Sequence, residues 1–187
     1  AYGTIWSNTW GQILSKEPAR KILPLMHSNH AGNQRLPLVL VGGSGLGEHC
    51  LFAAALGARC IGYELVCGAM VETAKSVLLE HRAQGSIDFR CAAAEDAMEL
   101  SEADLVWLND FSWPCAVRAA LQRKLAKELP EGAIVVSCRN EADCGDWDPQ
   151  VNAVLPLAST ALGVVSWSRA QVFEIRQKAM LVEKSEL

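Results

Sequence analysis

The stretch that most constrains the fold is LPLVLVGGSGLGE, residues 36–48. An unbroken apolar run leads straight into glycines. A strand buried on both faces has this composition, whereas a strand with one wet face alternates apolar and polar residues. Residues rich in Ala and Leu then continue to Gly57, as in a helix that ends at a glycine. The stretch therefore predicts a buried strand, a glycine turn and a helix.

The same alternation recurs along the chain. Further strands are predicted at RCIGYE (59–64), SIDFRCA (86–92), DLVWLND (104–110) and PEGAIVVSCRN (130–140), with helices at 67–82, 95–100 and 114–128. Strands that alternate with helices form a parallel sheet through right-handed crossovers. Residues 163–178 break this rhythm, because two strands follow each other across a short polar turn. The sequence thus predicts an α/β fold whose sheet closes with an antiparallel hairpin.

The chain length suits one domain, since 187 residues can enclose a single core. We assign residues 36–187 to that domain and residues 1–35 to an N-terminal arm, with a helix at Thr9 to Leu14, that packs on it. No run approaches the roughly 18 apolar residues that span a membrane, and no signal peptide is visible. An intracellular protein without a membrane segment is expected.

The cysteines also indicate an intracellular protein. Seven are scattered along the chain without a CxxC pair, and several have apolar neighbours. We interpret several of them as free, buried thiols and expect a reducing compartment. His27 and His30 form an HxxH, but no second spaced pair accompanies them, so we predict no metal site.

The charge balance limits the partners. The chain has 17 Lys and Arg against 21 Asp and Glu, a formal charge of −4. Binding to a phosphate backbone requires clustered cations. We therefore expect this chain alone to bind nucleic acid weakly or not at all.

The glycine turn predicts a cofactor loop of a particular kind. Gly43, Gly45 and Gly47 form GxGxG, whereas a dinucleotide loop has GxGxxG and would need a glycine where Glu48 stands. A carboxylate there opposes a pyrophosphate but tolerates a smaller anionic group. We predict that these four residues and Ser44 contact a cofactor that has no pyrophosphate.

Acidic residues after the next two strands extend the prediction. Glu64 ends the second strand, 21 residues after Gly43, where an acid typically accepts hydrogen bonds from ribose hydroxyls. Asp96 or Glu95, after the third strand, would accept the adenine amino group. The alternatives are an ordinary strand-end carboxylate and acids that favour a helix N-terminus. Glycine loop, acid and strand order together favour S-adenosylmethionine.

At this point the chain resembles a known family. The motifs LVLVGGSGLGE, GYEL, VWLNDFSW and EGAIVVSCRN follow, in order and spacing, the catalytic core of the Disruptor-of-telomeric-silencing (Dot-type, non-SET) histone lysine methyltransferases. AYGTIWSNTWGQIL and LGVVSWSRAQVFEI resemble two further segments of that core. The resemblance implies a Rossmann-like class I methyltransferase fold with a mostly parallel seven-strand sheet. It also implies S-adenosylmethionine as cofactor and lysine in a histone or another protein as acceptor.

The resemblance also implies roles at the end of the fourth strand. Asn109 matches the first asparagine of the family motif, and Phe111 and Trp113 match its aromatic residues. Asn109 would contact the cofactor and orient the amine, and the two rings, with Trp6 or Trp10, would wall a channel for it.

Other interpretations of this stretch stay open. It also fits a degenerate Asn-Pro-Pro-aromatic motif of amino-group methyltransferases, or aromatic residues that only pack a core. Where the family has an acid before the glycine loop, a Glu in its N-terminal motif and a tyrosine pair, this chain has Val41, Thr4, Glu174 and Ile175. Two alternatives therefore remain: the same fold acting on a small molecule or nucleic acid, and a domain that binds without catalysis.

Overall fold

Strands and helices alternate in the computed structural model, which describes residues 7–27, 35–80, 86–138, 144, 146–164 and 170–180. The described helices are α1 (Ser7–Leu14), α2 (Ile22–His27), α3 (Glu48–Ala55), α4 (Ala69–Glu80), α5 (Ala94–Ala97), α6 (Cys115–Glu128) and α7 (Pro149–Val154). The strands are β1 (Leu38–Gly42), β2 (Arg59–Glu64), β3 (Ile87–Cys91), β4 (Leu105–Leu108), β5 (Ile134–Cys138), β6 (Leu157–Val164) and β7 (Ala170–Gln177). None of the described helices is long and apolar enough to cross a membrane.

All the described strands form one seven-stranded sheet, in the order β3-β2-β1-β4-β5-β7-β6. The pairings from β3 to β5 are parallel. β7 is antiparallel to both β5 and β6. The predicted fold class, a mostly parallel sheet closed by an antiparallel hairpin, is confirmed. The division into an arm, 1–35, and a domain, 36–187, stays a prediction.

Both faces of the central strands are buried. Every residue of β1, β4 and β5 is buried. Val39 and Trp107 face the core beneath α1 and α3, whereas Leu40 and Val106 face the core beneath α6. Side chains alternate between the two faces of a strand, so a strand covered on both sides has no polar positions. This explains the unbroken apolar runs.

Helix α1 is anchored by an aromatic stack. Trp10 is 2% exposed, and its ring lies 4.2 Å from that of Trp107 at an interplanar angle of 9°. Its Nε1 donates a hydrogen bond to His49 Nδ1 at 2.9 Å. Burial lowers the pKa of His49 to about 4 and keeps it neutral. The prediction that Trp10 walls a channel is therefore wrong, and Trp6 lies outside the described residues.

The sequence did not predict α7. Its six residues are too few for a helical period of apolar residues to be visible. Its start is nevertheless defined: Asp148 accepts a hydrogen bond from the Gln150 amide at 2.7 Å, and Pro149 follows at the first helical position.

Three disulfides join six of the seven cysteines: Cys50–Cys60, Cys67–Cys91 and Cys115–Cys144. Cys138 is the buried free thiol. The prediction of free thiols is therefore wrong for all but Cys138, and the inference of a reducing compartment loses its basis. Partners 10, 24 and 29 residues apart meet through the packing of neighbouring strands and helices, which cysteine spacing alone does not reveal.

A buried ion pair fixes the junction between β4 and α6. Asp110 Oδ2 accepts from Arg118 Nε at 3.1 Å, and Asp110 Oδ1 accepts from the Cys138 amide at 3.0 Å. Arg118 Nη2 also donates to the Cys138 carbonyl at 3.2 Å. Burial raises the pKa of Asp110 to about 6, although Arg118 and the amide favour its charged form. The carboxylate thus ties the residues after β4 to the end of β5.

We predict that Asp110→Asn lowers the free energy of unfolding at pH 7 by about 3 kcal/mol, because it leaves a buried guanidinium without its counter-charge. Urea unfolding followed by far-ultraviolet circular dichroism measures the loss. Asp88→Asn is the matched control, since Asp88 pairs with Arg90 at 3.2 Å on the surface. That change should remove about 0–1 kcal/mol. Equal losses in the two variants would show that the buried pair does not hold the junction.

Candidate functional site

The loop between β1 and α3 has a shape that requires glycine. Gly43, Gly45 and Gly47 have φ of 68°, 54° and 89°, in the left-handed region. A Cβ on Gly47 would stand 2.3 Å from Cζ of Phe89. The Gly43 and Ser44 amides donate to the Tyr63 carbonyl at 2.9 and 3.0 Å. The loop is therefore held against the end of β2.

Glu64, the last residue of β2, lies directly beneath this loop. Its side chain is buried, and its Oε2 accepts a hydrogen bond from the Gly45 amide at 2.9 Å. Oε1 accepts from the Val66 amide at the same distance. In sheets of this kind, an acid at the end of the second strand typically accepts hydrogen bonds from ribose hydroxyls. The predicted ribose acceptor thus stands at the carboxyl end of the sheet, against the glycine loop.

A cavity of about 160 Å³ opens beside Glu64. The residues after β2 and β3 form two of its walls, and the start of α6 forms a third. It is lined by Gly43, Tyr63, Glu64, Leu65, Ala92, Ala93, Ala94, Glu95, Trp113, Pro114 and Val117. Leu65 is 69% exposed, which is unusual for so large an apolar side chain. Apolar walls with a carboxylate at one end suit a flat aromatic ring joined to a sugar.

The two aromatic residues after β4 point to opposite faces of the sheet. Trp113 lies over the glycine loop, since a Cβ on Gly42 would stand 2.9 Å from its Cη2. It lines the cavity and packs against the core beneath α6. Phe111 packs against the other core, beneath α1. The structure therefore does not bring Phe111 and Trp113 together as walls of one channel.

Asn109 is tied to the glycine loop. Its backbone amide donates to the Gly42 carbonyl at 2.9 Å, continuing the pairing of β1 with β4. Its side-chain Nδ2 donates to the Gly43 carbonyl at 3.4 Å, a weak bond. The half-buried amide group therefore stands where β4 meets the loop. This is the junction at which ligands bind in open α/β sheets.

The other predicted site residues take different positions. Of the two acids after β3, Glu95 lines the cavity, whereas Asp96 is exposed and its carbonyl accepts from Lys124 Nζ. Ser44 is buried, and its Oγ has no hydrogen-bond partner among the residues that the structure describes. Glu48 is the half-buried first residue of α3 and does not line the cavity.

The positions that depart from the family pattern lie mostly inside the sheet. Val41 is fully buried between Gly62 of β2 and Trp107 of β4. Glu174 pairs with Arg176 at 2.8 Å, and Ile175 is in the core. Thr4 lies outside the described residues. Over the described part of the chain, no three His, Cys, Asp or Glu side chains are grouped to hold a metal.

Sequence reasoning missed most of the cavity wall. Sequence patterns alone did not identify Leu65, Ala92, Ala93 and Val117 as apolar residues that line the cavity. One signal was available in the sequence: Leu65 directly follows the acid that ends β2 and does not belong to a periodic pattern of apolar residues. The others are defined only by the way three loops converge.

No protein-family model and no curated protein sequence matches this chain. Solved structures do match. An RNA methyltransferase from Salinibacter ruber with S-adenosylhomocysteine has 21% identity and a TM-score of 0.58, covering 90% of this chain and 97% of its own. Magnesium protoporphyrin IX methyltransferase from Synechocystis with S-adenosylmethionine has 16% identity and 0.60, covering 94% and 86%. A putative methyltransferase from Escherichia coli has 12% identity and 0.69, covering 93% and 87%.

These structures share the fold and differ in what their names say they methylate. None of the three is named as a histone lysine methyltransferase, so the Dot-type resemblance gains no specific support from them. The strand order and the glycine loop at the carboxyl end of β1 agree with the likeness. The chain therefore has the Rossmann-like fold of class I S-adenosylmethionine-dependent methyltransferases.

Proposed function

We propose that this chain is an S-adenosylmethionine-dependent methyltransferase whose acceptor is a small molecule. The observation that carries the proposal is the cavity between Glu64, Leu65 and Trp113, directly beside the GxGxG loop. An adenosine group needs a carboxylate for its ribose and apolar surface for its base. Both lie at the carboxyl end of the parallel strands, where such sheets bind ligands.

The residues present fit the cofactor. The ribose hydroxyls would donate to Glu64, and the adenine would lie between Leu65 and the Ala92–Ala93 backbone, with Trp113 covering its edge. The cavity, about 160 Å³, is smaller than the roughly 300–1,000 Å³ of a pocket that encloses a whole ligand. It would therefore hold the adenosine part, and the amino-acid part would lie along the open face of the glycine loop.

When bound, S-adenosylmethionine supplies an electrophilic methyl group on a sulfonium. The contribution of the chain is to bind and orient, because in-line transfer gains most of its rate from positioning. Asn109 stands at the loop where the methyl end would emerge, with its amide held by the Gly43 carbonyl. A carboxamide so placed can orient an acceptor amine or hydroxyl through a hydrogen bond.

The charge of the chain supports a small acceptor over a nucleic acid. The formal charge is −4, and both Glu64 and Glu95 line the cavity. Carboxylates in these places repel a phosphate backbone. Relatives in structure include enzymes named for a porphyrin and for 1,6-didemethyltoxoflavin, which are small acceptors. The named substrates are those of the neighbouring proteins, and they support a small molecule as the acceptor proposed for this chain.

A protein lysine is the second candidate, because NDFSW, residues 109–113, places an amide and two rings together in sequence. Phe111 and Trp113 pack against opposite cores, which favours a small molecule over a protein lysine as acceptor, since a lysine channel needs rings that face each other. A screen of small amines and hydroxyl compounds beside histones and nucleosomes decides between the two. A chain that binds cofactor but methylates nothing in the screen would be a binding domain.

We predict that Glu64→Gln weakens binding of S-adenosylhomocysteine about 10- to 100-fold, since hydrogen bonds to a charged acceptor contribute roughly 1.5–3 kcal/mol. Isothermal calorimetry measures the affinity, and thermal unfolding shows whether the variant is folded. Glu72→Gln, at an exposed position of α4, is the control and should bind like the wild type. Wild-type protein that binds no S-adenosylhomocysteine at millimolar concentration would refute the proposal.

We predict that Asn109→Ala slows turnover on an acceptor found in the screen by about a hundredfold, because positioning is lost. Its 3.4 Å bond to Gly43 is weak, so the free energy of unfolding should fall by less than about 1 kcal/mol. Single-turnover rates and melting temperatures are measured together. Unchanged turnover with a clearly lower melting temperature would make Asn109 a structural residue only.

A further inference from the structure

The disulfide between Cys67 and Cys91 joins the two loops that wall the cavity. Cys67 comes two residues after Leu65, and Cys91 comes directly before Ala92. Their Cα atoms are 5.3 Å apart, within the usual range for a disulfide. The bond therefore links the segment after Glu64 to the segment that begins at Ala92, and both segments line the cavity.

Backbone contacts between the two loops are few beyond the strands. Glu64 is the register partner of Cys91, and the Ala92 amide donates to the Glu64 carbonyl at 3.1 Å. Past this point the β2 loop turns outward, where Leu65, Val66 and Cys67 are all exposed. The disulfide thus joins the loop after β2 covalently to the last residue of β3, at the end of the pairing between the two strands.

This bond is open to reagents in solution. Cys67 and Cys91 are both exposed, whereas Cys50 in α3 and Cys60 in β2 are both buried. Thiol–disulfide exchange requires an attacking thiolate to reach a sulfur, so exposure decides which disulfide reacts. Among the three disulfides, only this one has exposed cysteines on both sides and connects two walls of the cavity.

We propose that Cys67 and Cys91 form a redox site that sets the affinity of the chain for its adenosyl cofactor. The proposal rests on the proposed function. In the disulfide form the two walls are held at the spacing that the cavity requires. In the dithiol form the Leu65–Cys67 turn is released, and cofactor binding must order it again. Binding to a preorganised site is tighter, because the free-energy cost of ordering the turn does not reduce the binding free energy.

The conversion needs a dithiol reductant, of the dithiothreitol or thioredoxin class. One reductant thiolate attacks one protein sulfur, the S–S bond breaks, and the other protein sulfur leaves as a thiolate. The second reductant thiol then attacks the mixed disulfide and closes the oxidised reductant. Two electrons and two protons pass to the protein, which ends with two thiols. An oxidised dithiol of the same class reverses the change.

Calorimetry with S-adenosylhomocysteine tests the proposal on the whole chain, before and after dithiothreitol. We expect the affinity to fall about tenfold on reduction, within the range typical of coupling between two sites. In the cofactor-free protein, amide hydrogen exchange at residues 64–67 should become faster. Iodoacetamide labelling with mass spectrometry confirms which cysteines are joined, and finding Cys67 and Cys91 unpaired in oxidised protein would overturn the proposal.

Two double variants separate this disulfide from the others. Cys67→Ser with Cys91→Ser should bind with the low affinity of the reduced protein and ignore dithiothreitol. Cys115→Ser with Cys144→Ser should keep the full response. Equal affinity of the oxidised and reduced wild type, or a Cys67/Cys91 variant that binds like oxidised wild type, would overturn the redox role. An oxidised wild type that binds no ligand would instead overturn the proposed function.

Discussion

The candidate site depends on the way the glycine loop is held by the end of β2. Two loop amides bond to the Tyr63 carbonyl, and a third bonds to the Glu64 carboxylate. β1 and β2 are parallel neighbours, so their carboxyl ends meet at one edge of the sheet. These bonds fix the loop against β2, and Leu65 and Trp113 both line the cavity beside it, together with Glu64.

The carboxylate of Asp110 determines how the residues after β4 are arranged. Asn109, Asp110, Phe111 and Trp113 stand together in sequence, yet their side chains go to four different places. Asn109 contacts the glycine loop, Asp110 enters the protein to meet Arg118, and the two rings join opposite cores. Asp110 anchors the segment, and that anchor lets its neighbours hold their positions at the rim of the cavity. Residues that are adjacent in sequence therefore have separate environments, and the buried Asp110–Arg118 pair fixes the segment that carries them.

Much of the fold could be predicted from the sequence, and less of the site. Buried strands and glycine turns are encoded locally, so the alternation of apolar runs with helical segments was sufficient to predict the sheet. The edge where a cofactor would bind stays a prediction from the glycine loop and Glu64. Trp10 looked like a channel wall because a sequence does not state which core receives an aromatic ring. The cysteine pairs were missed for a related reason, since their partners meet through tertiary packing.

The most direct test of the cofactor site is a crystal structure of the chain grown with S-adenosylhomocysteine. We expect the ribose hydroxyls within hydrogen-bond distance of both Glu64 carboxylate oxygens, and the adenine between Leu65 and the Ala92–Ala93 backbone. The amino-acid end should follow the glycine loop toward Asn109. Ligand bound elsewhere on the chain, or bound here with its ribose away from Glu64, would contradict the site described above.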